Sequence, residues 1–512
     1  KQVTNNITTS ATSNTLIVKS LGEYRSTTGV KTIFAGAGAN VYKMDTATNP
    51  YTLTAQSFSG GTTKTDGNWQ FTNFNNQFYG VQASNQPINY SGSAWLDLED
   101  VGSYAKPSGV TTFTPSCVLG EYGRLFTGNI GENRDVVYYS DLLIGHKFQG
   151  GSSGAIDLKG VWAGDEIVSL NSFMGKLVIF GKNNIVVYDN PWDVALTSNS
   201  TFRLNEVIEG VGCVARDSVQ LIGDDIVFLS SSGVRSLSRT LVQDKMPLTD
   251  LSLAIKDEIR TNIITGNMEG VKAQYDLSTG SYILGFPGKN VVYVFDFKAQ
   301  TPDGVPRITT WNFDSKKNPR SFLSTDTFLY CGLGATNYEG RVATYDGYYD
   351  VEKTVISGVN QTTCVNAGDT WEGTSSVCFR TVNNTYQSDF KTVWLDFEQP
   401  GISKFLKRFL GIWSGGKNTN VTLNWYRDYK VTPTSANFNL DPTTGGVNSL
   451  WGNNTSLYST PQQAKSKYAP AFQPAEYKVS MSKAAKVVRL EIIQTVAGFK
   501  AALQNITIWA KQ

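Results

Sequence analysis

Two pairs of adjacent carboxylates, Asp165–Glu166 and Asp224–Asp225, are the first candidates for chemistry in this chain. Carboxyl groups held in pairs, one protonated and one ionised, carry glycoside hydrolysis, and a β-scaffold can bring them together from several strands. Both pairs, however, directly precede apolar runs, where turn and strand-edge roles are commoner for acidic residues. His146 is the only histidine, which nearly removes mechanisms built on a His base or a multi-His metal site. It follows Gly145 in a loop, and its plain reading is a satisfied structural side chain. Five cysteines include no Cys-x-x-Cys pair, so no zinc framework is expected. Cys364 and Cys378 either close a loop worth roughly 3 kcal/mol when oxidised or stand as two thiols. Cys117, Cys213 and Cys331 lie in or beside apolar stretches and read as small core residues. Lys404, Lys407 and Arg408 form a basic cluster that could touch a phosphate backbone, with an ordinary solvated strand face as the plainer alternative.

Nothing else offers a reaction. The chain has no G-x-S-x-G elbow, no phosphate-binding loop, no H-E-x-x-H and no EF-hand. The stretch Thr65-Asp66-Gly67-Asn68-Trp69 is similar to the sialidase Asp-box, but its Gly directly follows the Asp. N-x-[ST] sequons occur at Asn6, Asn199, Asn360, Asn383, Asn420, Asn453, Asn454 and Asn505, a number that chance supplies in a chain rich in Asn, Ser and Thr. The expectation is a protein that is not an enzyme, with no catalytic residues, no metal and no cofactor.

Composition agrees with that expectation. Across 512 residues, 45 Lys+Arg against 43 Asp+Glu leave a net charge of +2, so no global field points to nucleic-acid binding. Charged residues are only 17% of the chain and aromatics 12%, while Gly alone numbers 48. That balance suits turn-rich β-structure with hydroxyl and amide faces. No apolar run approaches 18 residues, so no membrane-spanning helix is expected. The chain opens at Lys1 rather than Met, which implies an N-terminal piece processed away or outside the numbering. Helical periodicity is confined to Leu248–Ile263, where Leu248, Leu251, Ile255 and Ile259 share a stripe and Ser252 is placed to cap it.

The elements that must position any site emerge from repetition. An apolar strand, a Gly/Asn turn and a second strand ending in an aromatic or Asp recur seven times. The first apolar strands start at Ile33, Phe78, Leu125, Leu177, Ile226, Tyr282 and Phe328. The steps of 45, 47, 52, 49, 56 and 46 residues match a four-stranded propeller blade. Lys176-Leu177-Val178-Ile179-Phe180-Gly181 followed by Ile185-Val186-Val187-Tyr188-Asp189 is the clearest copy. The predicted fold is all-β, a β-propeller with an N-terminal arm over 1–350. Seven blades are the first choice and six remain open. An irregular polar insertion is expected over 351–389, followed by an antiparallel β-sandwich-like domain over 390–512. Within the last, strands are expected at Thr392–Phe397, Phe405–Trp413, Val421–Tyr426, Val487–Ile493 and Ile506–Trp509, with a long polar loop from Val431 to Ala469.

Residues 20 to 350 resemble the tail nozzle proteins of short-tailed bacteriophages, the tail-tubular-protein-B type. The marks are Gly22-Glu23-Tyr24-Arg25, the stretch Trp69-Gln70-Phe71-Thr72-Asn73-Phe74-Asn75-Asn76-Gln77-Phe78-Tyr79-Gly80-Val81, and Pro87-Ile88-Asn89-Tyr90-Ser91-Gly92. Gly123-Arg124-Leu125-Phe126-Thr127-Gly128 and the segments Val211–Ala215 and Ile226–Val234 complete them. The packaged-DNA stabilising plug proteins are a similar family. The resemblance implies a structural virion protein, made in the cytoplasm of an infected bacterial host and built into the phage tail. Six copies would form a ring below portal and adaptor, and genomic double-stranded DNA would pass through it without sequence specificity. The ring would retain and then help deliver the genome. Tail adaptor protein and tail fibres or tailspikes are the implied partners. A carbohydrate-active or glycan-binding propeller (depolymerase, sialidase-like enzyme or lectin) is the alternative.

Overall fold

The computed structural model describes residues 8–9, 12–46, 51–59, 64–162, 164–194, 200–238, 250–300, 304–313, 318–334, 340–345, 350–356, 358–373, 376–399, 401–415, 419–440, 474–496 and 501–511. It is an all-β chain of many small antiparallel sheets that divides into two compact units, one over 2–345 and one over 346–371 and 377–512, the few residues 372–376 falling with the first.

Besides a two-stranded ribbon of Thr8–Thr9 and Thr12–Thr15, the described residues of the first unit form seven larger sheets in chain order. Their opening strands are Val18–Arg25, Gln70–Phe74, Cys117–Glu121, Ile167–Phe173, Gln220–Ile222, Lys272–Asp276 and Pro319–Ser324. Each is followed by a hairpin partner: Lys31–Ala37, Gln77–Gln82, Arg124–Ile130, Lys176–Gly181, Asp225–Ser230, Ser281–Phe286 and Leu329–Leu333. These partners are the seven apolar strands of the repeat. The fifth and seventh sheets have three described strands, and the second gains a fifth, Phe58–Ser59, paired parallel to Trp95–Asp97.

Why these strands are apolar on both faces is visible in the fourth sheet. Along Lys176–Gly181, Leu177 and Ile179 join a cluster with Phe126 and Val137 of the third sheet. Val178 and Phe180 point the other way, to Ile226 and Phe228 of the fifth. With neighbours on both sides, strict alternation of polar and apolar residues gives way to a continuous hydrophobic run. The same arrangement recurs all along the unit. Separate buried clusters join the first and second, second and third, fifth and sixth, and sixth and seventh sheets. A further cluster sets Val18, Ala35 and Met44 of the first sheet against Tyr330 and Val342 of the seventh. The unit is propeller-like.

Aromatic side chains fill the first of these interfaces most densely. Phe34 lies 4.8 Å from Tyr90 and 5.1 Å from Trp95, both edge-on, and Phe71 stacks on Phe78 at 5.0 Å. Such pairs add about 0.5–1.5 kcal/mol each beyond area burial. Glycine allows the backbones to approach as closely. A Cβ on Gly67 would stand 2.5 Å from the Ala37 nitrogen and 2.7 Å from the Gly36 carbonyl carbon. The glycine that departs from the Asp-box pattern is therefore the one that lets the first and second sheets meet.

The helix expected from Leu248 is shorter than its periodicity. A 3-10 turn Leu253–Ile255 leads into an α-helix Lys256–Thr265, and Leu248 lies outside the described residues. Ser252 does not cap it. Its hydroxyl donates to Asp250 and accepts from the Val234 N–H at 3.0 Å, fastening the segment to the fifth sheet. Ile259 alone of the stripe's helical members is fully buried.

In the second unit, two sheets enclose one apolar core. One has the strand order Tyr386–Lys391, Val488–Val496, Thr419–Arg427, Thr434–Leu440. The other sets Lys404–Gly415 between Pro474–Ala485 and Ala501–Lys511. Leu406, Phe409 and Trp413 from the latter meet Leu423, Trp425 and Ile492 from the former. Three expectations change here. The strand read at Thr392–Phe397 is replaced by Tyr386–Lys391, and only an isolated bridge, Leu395 to Val488, marks the later segment. The first part of the Val431–Ala469 loop is a strand, Thr434–Leu440, paired with Thr419–Arg427; 441–469 lie outside the described residues. The segment 351–389, read as irregular, carries the strands Asp350–Ile356 and Val377–Asn384, paired antiparallel, and a helix Gln361–Asn366.

Candidate functional site

Four sheets of the first unit send residues to one polar knot. Asn68, Ser116, and the Arg216–Asp217 pair stand just before the opening strands of the second, third and fifth sheets, and Lys272 starts that of the sixth. Hydrogen bonds gather these residues in one place. Arg216 grips Asp217 with two parallel bonds, Nε to Oδ1 at 2.9 Å and Nη2 to Oδ2 at 2.7 Å. Its Nη1 donates to the Ser116 carbonyl at 2.8 Å, and Nη2 reaches Asn68 at 3.3 Å. Lys272 Nζ donates to both Asp217 and Asn68, whose amide nitrogen donates to the Glu269 carbonyl at 3.0 Å.

Burial alone would raise the Asp217 pKa, but the charges of Arg216 and Lys272 outweigh it and hold the carboxyl well below its ordinary value. Lys272 is pulled below the usual lysine range, first by burial and then by its neighbour Arg216, against the attraction of Asp217. One carboxylate thus serves two cations. With every oxygen occupied by a donor, it is built to lock sheets together rather than to exchange protons with a ligand.

The carboxylate pairs turn out to be similarly occupied. Asp165 accepts from the backbone N–H groups of Glu166, Lys182, Asn183 and Asn184 at 2.9–3.1 Å, and from the Asn184 amide at 2.9 Å. Glu166 pairs with Arg134 at 3.0 Å and with Lys182. Its burial pushes the pKa up, but the two hydrogen-bonded cations bring it below the ordinary value. Asp225 accepts from the N–H groups of Ile226 and Ser238 and from the Ser236 hydroxyl. Asp224 is exposed, and its carbonyl accepts from Ser238. Asp165 and Asp225 each secure a turn of their own sheet, and Glu166 reaches across to Arg134 of the third sheet. No contact brings the two pairs together among the described residues.

Asp66 of the box-like stretch accepts from Lys19 at 2.8 Å and from the Gly67 N–H at 2.6 Å, while Trp69 is buried. His146 departs from the satisfied ring expected of it: its Nδ1 is buried without a hydrogen-bond partner, and burial lowers its pKa, so the imidazole is neutral at pH 7. Burial pushes the thiols of Cys117 and Cys331 up to about 12 and that of Cys213 up to about 11, as inert core cysteines require. Cys364 and Cys378 are joined in a disulfide, with Cα atoms 5.8 Å apart. It ties the helix Gln361–Asn366 to the strand Val377–Asn384.

The basic cluster does not stay together. A bulge between Leu406 and Arg408 leaves Lys407 unpaired and breaks the two-residue alternation. Lys404, on the same face as Leu406, is turned inward at 3% exposure, donating to the carbonyls of Gln399 at 2.6 Å and Ile402 at 3.1 Å. Lys407 and Arg408 both face outward, Arg408 over the Trp509 ring at 5.5 Å. A phosphate would meet two of the three cations, not the cluster read from sequence.

One feature escaped the sequence reading. Between the sixth and seventh sheets lies a groove of about 380 Å³. Arg307, Thr309 and Trp311 line it as alternate residues of the strand Pro306–Asn312, beside Asp296 and Val294 of the paired strand. Trp311 stacks on Tyr345 with centroids 4.5 Å apart and planes at 18°. Alternation of Arg, Thr and Trp in a strand was the available signal, but only the seventh sheet's Tyr345 turns that row into a concave site.

No protein-family model matches the chain, and no curated protein matches it. Among solved structures, similarity is found to the extracellular domain of a hybrid two-component system of B. thetaiotaomicron, with 13% identity and a TM-score of 0.41 over 70% of this chain and 41% of that one. PorZ, a surface component of the type-IX secretion system of Porphyromonas gingivalis, matches at 10% identity and a TM-score of 0.38 over 66% of this chain and 37% of its own. The WD40 domain of Pan2 from Neurospora crassa matches at 9% identity and a TM-score of 0.39, covering 67% of this chain and 94% of that domain. The chain spans about two fifths of the length of the first two. Similarity at this level does not extend to function. Among the described residues no group of three metal-ligating side chains occurs, and no helix is long and apolar enough to cross a membrane.

Proposed function

We propose that this chain is a non-catalytic structural component of a short-tailed phage virion, the nozzle of the tail. Seven sheets close on one another as a seven-bladed propeller, and a sandwich-like domain follows. Six copies form a ring that continues the DNA channel below portal and adaptor, holds the packaged genome and offers side surfaces to tail fibres or spikes.

The observation that carries the reading is where the nozzle-like residues fall. Gly22-Glu23-Tyr24-Arg25 lies on the opening strand of the first sheet, and Trp69–Val81 spans the opening hairpin of the second. Gly123–Gly128 covers the corresponding hairpin turn and strand of the third. These are the positions that pack sheet against sheet, so the resemblance describes a scaffold and not a reaction centre. Two further features support it. Asp165 and Asp225 secure turns, and a net charge of +2 over 512 residues leaves little to hold DNA that must slide past.

Negative-stain electron microscopy of the purified chain tests this reading. Rings of sixfold symmetry with a central channel are expected; isolated particles at every concentration, with or without the adjoining tail proteins, would refute it.

A further inference from the structure

The groove between the sixth and seventh sheets has the makings of a binding site that neither the knot nor the ring requires. We propose that it binds a neutral oligosaccharide of hexopyranose units, independently of the nozzle reading.

The geometry is that of an elongated ligand. Arg307, Thr309 and Trp311 follow one another on a single face of Pro306–Asn312, four residue steps end to end, or roughly 14 Å of strand. At one end, Trp311 and Tyr345 stack face to face, which leaves each ring its outer face, and Tyr345 is 53% exposed. The apolar C–H face of a pyranose chair packs against the face of an aromatic ring by the same apolar contact that other hydrocarbon groups make there. Ile283, Val294 and Leu329 floor the groove. Its volume of about 380 Å³ is within the range of small-molecule sites, roughly 300–1,000 Å³.

The polar groups identify the class. A sugar hydroxyl both donates and accepts, so its site needs donors and acceptors side by side. Arg307 is exposed and supplies donors, the Thr309 hydroxyl supplies both functions, and the Thr279 hydroxyl, which donates to Asp276, is left as an acceptor. Asp296 is fixed by the N–H groups of Lys298 at 2.9 Å and Ala299 at 3.2 Å, which leaves acceptor capacity on its carboxylate. Asp276 is committed inward, accepting from the hydroxyls of Ser278 at 2.8 Å, Thr279 at 2.7 Å and Ser324 at 3.1 Å. Two carboxylates against one guanidinium disfavour phosphate, sulfate or an acidic sugar, and nothing in the groove holds a purely apolar ligand's ends.

The test titrates the full chain with maltohexaose, cellohexaose and laminarihexaose, following the aromatic resonances by saturation-transfer NMR. A heparin hexasaccharide is the anionic comparison. At least one neutral hexaose is expected to saturate below about 10 mM. Tyr345→Ala and Arg307→Ala, both at exposed positions, are each expected to weaken it about tenfold, about 1.4 kcal/mol, Arg307→Ala without lowering the melting temperature and Tyr345→Ala with only the small loss its stack on Trp311 implies. Trp311→Ala is a third variant, and the first two keep the test decisive if it does not fold. The proposal is overturned if no neutral hexaose saturates, if only the heparin fragment binds, or if both exposed variants bind as the parent does.

Discussion

Ser321 and Val18 stand 303 residues apart and are joined by a hydrogen bond: the Ser321 hydroxyl donates to the Val18 carbonyl at 2.9 Å. The bond links the opening strands of the seventh and first sheets, in the interface where Gly332 also meets Val18. Without it, a buried carbonyl loses its side-chain partner. Ser321→Ala is expected to destabilise the first unit by about 1–3 kcal/mol, read as a lower urea midpoint with an unchanged slope. A midpoint equal to the parent's would show that this contact adds nothing to the packing of these two sheets.

Gly67 is the tightest test of how the first two sheets pack. A methyl group there would meet backbone atoms 2.5 and 2.7 Å away, which cannot swing aside as a side chain can. Gly67→Ala is expected to cost about 1–3 kcal/mol or more by calorimetry. Gly175→Ala is a poor comparison because its φ is +77°, whereas Gly102→Ala, with open space around it, is expected to be near neutral.

The knot around Asp217 predicts a pH signature. Its carboxyl has a folded pKa below the unfolded value near 3.8, so the unfolded chain takes up the proton first as pH falls. The stability it contributes is complete above about pH 4 and is lost as pH drops through the folded value near 2. Asp217→Asn should flatten the acid limb of a melting-temperature profile over that window. Asp217→Ala, which strands two buried cations, should cost about 3–5 kcal/mol at neutral pH. An acid limb of parental steepness in Asp217→Asn would assign it to other carboxylates.

The disulfide closes a loop with a sequence separation of 14 residues in the second unit. The double variant Cys364→Ser, Cys378→Ser is expected to lose about 3 kcal/mol in that unit, and dithiothreitol should reproduce the loss in the parent. Equal melting with and without reductant would mean that the crosslink adds no stability.

Much of this architecture is legible in the sequence because burial on both faces leaves a plain signal. Lys176–Gly181 and Ser281–Phe286 read as strands since each neighbouring sheet demands an apolar side chain. Tyr386–Lys391 was missed for the opposite reason. All its side chains are exposed, so hydrogen bonding to Val488–Val496, and not hydrophobic patterning, makes it a strand. The basic cluster failed because Lys404 and Lys407, three residues apart on one strand, point to opposite faces, and the bulge brings only Arg408 out beside Lys407. The knot and the groove were invisible because their members, Asn68, Arg216 and Lys272, or Trp311 and Tyr345, are distant in sequence and meet only when sheets pack.

The central claim is a ring of six copies, and mass in solution tests it most directly. Analytical ultracentrifugation of the chain, alone and mixed with the adjoining adaptor protein, should reveal a species of six times 56.0 kDa, or about 340 kDa before any adaptor is added to it. A single 56.0 kDa species under both conditions, at all concentrations, would contradict the account.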